Sequence, residues 1–266
     1  MGILNVTPDS FSDGGRFTSE ETVARQVETM LSHGVDIIDV GGESTRPFAE
    51  PVPEDEELAR ILPAIRTIRR ISDDIPVSID TTKAAVARAA LAEGATMVND
   101  ISALRHDPEM TEVVRNYEGP VIIMHMQGTP RSMQLDPRYG DVVEDILQFF
   151  RERLDVLEQN GIGRDRVVID PGIGFGKTVE HNLDILRNLR RFRTLGRPLL
   201  VGHSRKSFLG KLFDLEVDQR DCATAVLSGW CSMEQVDILR VHDVRMTVIA
   251  LRLLDLMAGS GPDAAD

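Results

Sequence analysis

Eight short runs rich in β-branched and other apolar residues recur along the chain, each followed by a polar loop and a stretch with helical periodicity. They are Gly2–Asn5, Ile37–Val40, Val77–Asp80, Met97–Asp100, Val121–Met124, Val167–Asp170, Leu199–Gly202 and Ile238–Val241. Strands separated by helices cannot pair through tight hairpins. They pair in parallel, through right-handed crossovers. The helical stretches show apolar residues three and four apart: Val23, Val27, Met30 and Leu31; Leu58, Ile61, Leu62 and Ile65; Ile146, Phe149, Phe150 and Leu154; Val244, Val248, Leu251 and Leu254. Pro63 is expected to kink the second of these helices, since proline removes a helical donor. The pattern predicts an α/β fold, a single-domain (β/α)8 TIM barrel over residues 1–258. A doubly wound open sheet is the alternative. Polar residues close nearly every run, and a closed barrel gathers such ends on one face, whereas an open sheet spreads them along an edge. Residues 259–266 are small and polar and are expected to form a disordered tail.

Those strand ends carry Asn5, Asp39, Asp80, Asn99, His125, Asp170, Ser204-Arg205-Lys206 and Arg240-Val241-His242. Gathered in one cavity, carboxylates and amides would hold a flat heterocycle through its ring donors, and Lys206, Arg240 and His242 would hold an anionic group. Each residue alone also has a structural reading. Asp39 precedes Gly41-Gly42 and could cap a turn. Asp80, before Thr81-Thr82-Lys83, could be a helix N-cap. Asp170, before Pro171-Gly172, could belong to a common turn. His125 is read as a satisfied core histidine, and His33, His106 and His181 as surface residues. The run Pro171–Thr178 has the look of a phosphate loop but lacks the required first glycine, where Pro171 stands, so its glycines are read as turn formers.

The formal net charge is −13 and the sequence pI about 4.9, which argues against a nucleic-acid or acidic-membrane partner. Cys222 and Cys231 are the only cysteines and have no metal-ligand spacing. With no basic-apolar leader and no run long enough to span a bilayer, a cytoplasmic location is expected.

Eight ordered segments resemble the dihydropteroate synthase family of pterin-binding enzymes: Met1–Gly15, Gly41–Pro47, Val77–Asp80, Asn99–Ile101, Met124–Gly128, Asp170–Lys177, Ser204–Ser207 and Arg240–Asp243. The similarity runs from Met1 to about Leu256. It implies condensation of a dihydropterin-methyl diphosphate with 4-aminobenzoate, through a pterin cation, giving 7,8-dihydropteroate and diphosphate. By the same resemblance, Asp80, Asn99, Met124, Asp170, Phe175 and Lys206 bind the pterin, and Arg240 covers its other face. Asn5, Arg240 and His242 take the diphosphate, with Asn5 also a ligand of Mg2+. Phe11, Thr45, Pro47 and Ser207 bind 4-aminobenzoate, while Asp13, Arg46 and Lys206 act in catalysis. A homodimer is implied, as are small-molecule substrates as the only other partners.

The chain departs from the family pattern at Phe48, where glycine is usual, and at Ala223-Thr224, where Gly-Thr is usual. The usual leading segment before the first strand is also missing, which is expected to leave the barrel floor less covered. A methyltetrahydrofolate:corrinoid methyltransferase would share the pterin carboxylates but has no use for the anion-binding Lys206, Arg240 and His242. A catalytically silent pterin binder would not need that full set of groups.

Overall fold

The structure, a computed structural model, describes residues 1–7, 20–44, 49–129 and 131–259. Eight parallel strands alternate with helices: β1 (Gly2–Asn5), β2 (Ile38–Gly41), β3 (Val77–Asp80), β4 (Met97–Asp100), β5 (Val121–Met124), β6 (Val167–Asp170), β7 (Leu200–Val201) and β8 (Ile238–Leu239). The helices are α1 (Glu20–Ser32), α2 (Glu54–Ile71), α3 (Ala84–Ala92), α4 (Met110–Asn116), α5 (Val142–Gln159), α6 (Val179–Arg187), α7 (Leu189–Phe192), α8 (Ser207–Phe213), α9 (Asp221–Met233) and α10 (Val244–Met257). Strands β1 to β6 form one continuous sheet in chain order, and β7 pairs with β8. Single parallel bridges, Ile169 to Leu199 and Gly2 to Val241, join the two pieces on both sides and close the ring. The fold is the expected (β/α)8 barrel.

Alternation along each strand sorts the side chains into two sets. One set, including Leu4, Ile38, Val40, Val77, Ile79, Val121, Ile123, Val167 and Ile169, is buried against the helices. The other set fills the barrel interior. Its lower layer is Met1, Met97, Ile122, Val168 and Leu200, with Ile37 and Ile238 packed against them. The lower interior of the barrel is therefore filled by this chain's own side chains. Two residues further along the strands come Asp39, Asn99, Met124, Asp170, Gly202 and Arg240, with Asn5 and Asp80 on the same parity. The polar residues that close the runs are thus the top interior layer.

Helix α2 accommodates Pro63 in its interior: it runs from Glu54 to Ile71 without a break. Pro63 and Ala59, whose carbonyl loses its usual partner, both lie on the exposed face, so water can hydrate the freed oxygen. The helix opens with four acidic residues, Glu54–Glu57, and closes with Arg69 and Arg70, matching its dipole. His181 corrects one reading. It is half-buried, completes a capping box with Thr178 at the start of α6, and its ring stands edge-on to Tyr139.

Candidate active site

The C-terminal ends of the strands surround a cavity of about 690 Å³. Arg240 sits at its centre. Its Nε donates to Asp39 Oδ2 at 2.6 Å and its Nη2 to Asp80 Oδ2 at 2.7 Å. Asn99 Nδ2 lies 3.4 Å from both Asp39 oxygens. Two carboxylates thus share one guanidinium in a place with little water. Burial pushes the Asp80 carboxyl up to about 7, with Arg240 opposing and Asp39, Glu57 and Asp100 adding to the rise. Burial works against the charge on Arg240, but Asp39 and Asp80 outweigh it and hold the guanidinium firmly protonated. Asp80 is not the cap of α3, because Ala84 N donates instead to Asp107 Oδ2 at 2.8 Å.

Asp170 combines its two readings. Its Oδ1 accepts from Gly172 N at 2.8 Å, which makes the turn, while its carboxyl stays in the interior layer. Burial raises its pKa, against the pull of Gly172 N, Lys206, Arg240 and Lys177. The turn requires glycine at 172: φ is +72° and a Cβ there would meet His125 O at 2.0 Å. Gly202, opposite, leaves the space beside Asp170 Oδ2 and Arg240 open.

Lys206 comes from the residue before α8. Its Nζ stands 4.0 Å from the centre of the Phe175 ring, a cation–π contact. Burial lowers its pKa to about 8, with Asp170 opposing. Its direction is set by Arg205, which has a left-handed backbone (φ +55°) despite its side chain. Arg205 is held there by paired 2.7 Å bonds to both Asp221 oxygens, and its N–H donates to Thr224 Oγ1 at 3.1 Å. His242 N donates to Ser204 Oγ at 3.1 Å, and that hydroxyl lies 2.9 Å from His242 Nδ1. Burial, then Arg205 and Arg240, lower the His242 pKa to about 3, so the ring is neutral.

One wall is apolar: Met124, Phe175, Ile101, Met126 and Met133 form a separate buried cluster. Behind it, Lys177 Nζ reaches His125 Nδ1 (3.1 Å), His125 O (3.3 Å) and Phe175 O (2.9 Å), tying the loops after β5 and β6 together. The loop 171–178 turns its lysine inward to protein acceptors, as its reading as a turn requires. His125 is the buried, partnered histidine expected.

The structure brings together Asn5, Asp80, Phe175, Lys206, Ser207, Arg240 and His242 around the cavity, with Asn99, Met124 and Asp170 in the layer beneath. Ser207, the first residue of α8, lies exposed at the rim. Phe11, Asp13, Thr45, Arg46 and Pro47, together with Phe48, lie outside the described residues. The sequence leaves Asp39 open between two roles, and it places Lys177 and Ser204 in motifs without showing a role for either. For Asp39, its interior parity beside Asp80 was the signal available.

The profile of the pterin binding enzymes matches residues 1–242. The chain is a member of the pterin-binding enzyme family. This pterin-binding enzyme is 46% identical over 265 residues to a dihydropteroate synthase of Synechocystis, covering 97% of this chain and 89% of the relative. Among solved structures, the Yersinia pestis dihydropteroate synthase in a sulfonamide drug complex superposes with a TM-score of 0.92 at 40% identity, over 97% of this chain and 93% of that one. The Xanthomonas albilineans dihydropteroate synthase with 4-aminobenzoic acid gives a TM-score of 0.91 at 41% identity, over 97% and 92%.

Proposed function

We infer that the cavity is the active site of a dihydropteroate synthase. The chain condenses (7,8-dihydropterin-6-yl)methyl diphosphate with 4-aminobenzoate to give 7,8-dihydropteroate and diphosphate. The observation that carries this reading is the interior layer itself: three carboxylates, an amide and an apolar wall directly beneath two cations. A pterin ring presents an amino group and ring N–H donors along one edge, which suit Asp80, Asp170 and Asn99. Its faces suit Met124 and Phe175 on one side and the planar guanidinium of Arg240 on the other. Arg240 and the ring of His242 suit the diphosphate.

In the reaction the C–O bond to diphosphate breaks, the C–N bond to the aniline nitrogen forms, and that nitrogen releases a proton. Positive charge grows on the pterin as the leaving group departs. The buried carboxylates face that charge in a site where water does not screen them, and the cations face the departing anion. Ionisation before attack fits this separation of charge. The 4-aminobenzoate nitrogen is nucleophilic when neutral, so no strong base is needed. Ser207 suits its carboxylate at the cavity rim, and Phe11, Asp13, Thr45, Arg46 and Pro47 keep the roles the resemblance implies.

Mg2+ fits as a shared ion rather than a caged one. Asn5 offers a neutral amide oxygen at the cavity wall, and no group of three or more His, Cys, Asp or Glu side chains among the described residues forms a metal cage. Such an ion, held by Asn5 and the substrate's own oxygens, would neutralise charge on the leaving diphosphate.

A second copy of the chain suits the apolar stripe on α9 and α10. Val226, Trp230, Met233, Ile249, Leu253 and Leu256 are all exposed there. The cytoplasm suits Cys222 and Cys231, both free thiols. No helix among the described residues is long and apolar enough to cross a membrane. The deciding experiment is diphosphate release: it should require both 4-aminobenzoate and Mg2+. Release that is indifferent to 4-aminobenzoate would overturn the reading.

A further inference from the structure

Lys83, three residues beyond Asp80, donates to two carboxylates at once, Glu57 of α2 and Glu43 of the segment after β2. Glu57 is wholly buried, and its Oε1 has no hydrogen-bond partner among the described residues. Glu43 and Ser44 line the cavity. The same segment touches α2 twice more. Arg60 Nη1 donates to Gly42 O at 2.7 Å, and a Cβ on Gly42 would meet Ile61 Cγ2 at 2.7 Å and Glu57 Cγ at 3.0 Å. Glycine here permits direct contact between the segment's backbone and the helix.

This arrangement is more than a surface ion pair. Exposed pairs contribute little, but a carboxylate with no exposed area is costly to leave without its cation. Pairing Lys83 with Glu57 alone would meet that need. The lysine also takes Glu43, so the cost of uncovering Glu57 is coupled to the position of a cavity-lining residue. The two carboxylates, working against burial, hold the ammonium above its ordinary range. The pinned segment leads directly into Thr45. The hydrogen bonds that hold Asp39 and Asp80 come from their own strands and Arg240, while Glu57 reaches Asp80 only through its charge.

We propose that Lys83 is a positioning residue which, through Glu57 and Glu43, fixes Gly42–Ser44 and thereby sets the affinity for 4-aminobenzoate without touching either substrate. This rests on the reading that the residues after Ser44 receive 4-aminobenzoate. The test compares Glu43→Ala, Lys83→Met and Lys83→Arg with the parent enzyme by three measurements: KM for 4-aminobenzoate, calorimetric Kd for the pterin diphosphate, and melting temperature. Glu43→Ala leaves the Glu57–Lys83 pair intact, so it keeps the test sound if Lys83→Met does not fold. Glu43→Ala should raise KM for 4-aminobenzoate about tenfold with the pterin Kd within about twofold, Lys83→Met should raise that KM at least as much, and Lys83→Arg should restore most of the loss. An unchanged KM in Glu43→Ala, or an equal loss for both substrates in that variant, would overturn the proposal. A parent enzyme with no turnover dependent on 4-aminobenzoate would overturn the functional reading as well, which keeps the two failures distinct.

Discussion

Replacing Asp80 with asparagine is expected to make the unliganded protein more stable at pH 8 while removing much of its affinity for pterin. The carboxyl is pushed from 3.8 in the unfolded chain to about 7 in the fold, chiefly by burial. Each unit is worth about 1.4 kcal/mol, so keeping Asp80 ionised costs about 4 kcal/mol once the pH is above 7. The sign follows from the raised pKa. The folded protein binds the proton more tightly, so this part of its stability is complete below 3.8 and is lost as pH rises through 7. Asparagine resembles the protonated acid and carries no such dependence, and Arg240 keeps its Asp39 partner. The variant's advantage should therefore be about 4 kcal/mol at pH 8 and shrink to about 2 kcal/mol at pH 5. Urea denaturation of both proteins at a series of pH values measures it, and taking the difference cancels every other titrating group. A variant no more stable than the parent at pH 8, or an advantage that does not change with pH, would refute the reasoning. Gained stability with lost binding is what a group strained for its ligand should show.

Three buried histidines should set the acid limit of the parent protein. His125, His203 and His242 are lowered from 6.5 to about 2, 4 and 3, each chiefly by burial. The unfolded chain takes up these protons first, so their contribution is present above pH 6.5 and is lost on acidification. The loss is about 4 kcal/mol per pH unit below 6, partly offset by Asp80, and melting curves between pH 7 and pH 4 should show a steep fall. Asp170→Asn should weaken pterin binding by at least ~1.5–3 kcal/mol, since an amide replaces one of the carboxylate's two acceptor oxygens with a donor and cannot reproduce its fork. Unchanged affinity by calorimetry would remove Asp170 from the site. Joint Trp230→Asp and Leu253→Asp should turn a dimer into a monomer by sedimentation. An unaltered mass would show that the stripe on α9 and α10 is not the interface.

The strands were legible because their apolar runs are short, regular and interrupted by helix-period stretches. Every one begins or ends within two residues of its expected place. Part of the interior layer was legible because the period of two puts Asp39, Asn99, Asp170 and Arg240 on the same side as the floor residues Ile37, Met97, Val168 and Ile238 two before them. Partnership was not legible. Arg240 pairs with Asp39 and Asp80 across 201 and 160 residues, and no local pattern records which cation meets which anion. The accommodation of Pro63 inside α2 was not legible because it depends on which face of the helix meets water. Lys177 was missed because it lies in a glycine-rich turn, where only the closed loop shows its acceptors.

The ring has an uneven seam. Six strands form one sheet, and β7 with β8 form a two-stranded ribbon joined to it by one bridge on each side. The sheet carries Asp39, Asp80 and Asp170, while the ribbon and the residues that follow its strands carry Lys206, Arg240 and His242. A chain folded only as far as β6 would hold an acidic half-bowl whose carboxylates remain hydrated and whose edges remain unpaired. The last ribbon supplies the missing edges and the missing cations in one step. The segment that closes the barrel is thus the same one that neutralises its interior, and the charge pattern of the site needs β7 and β8 in place.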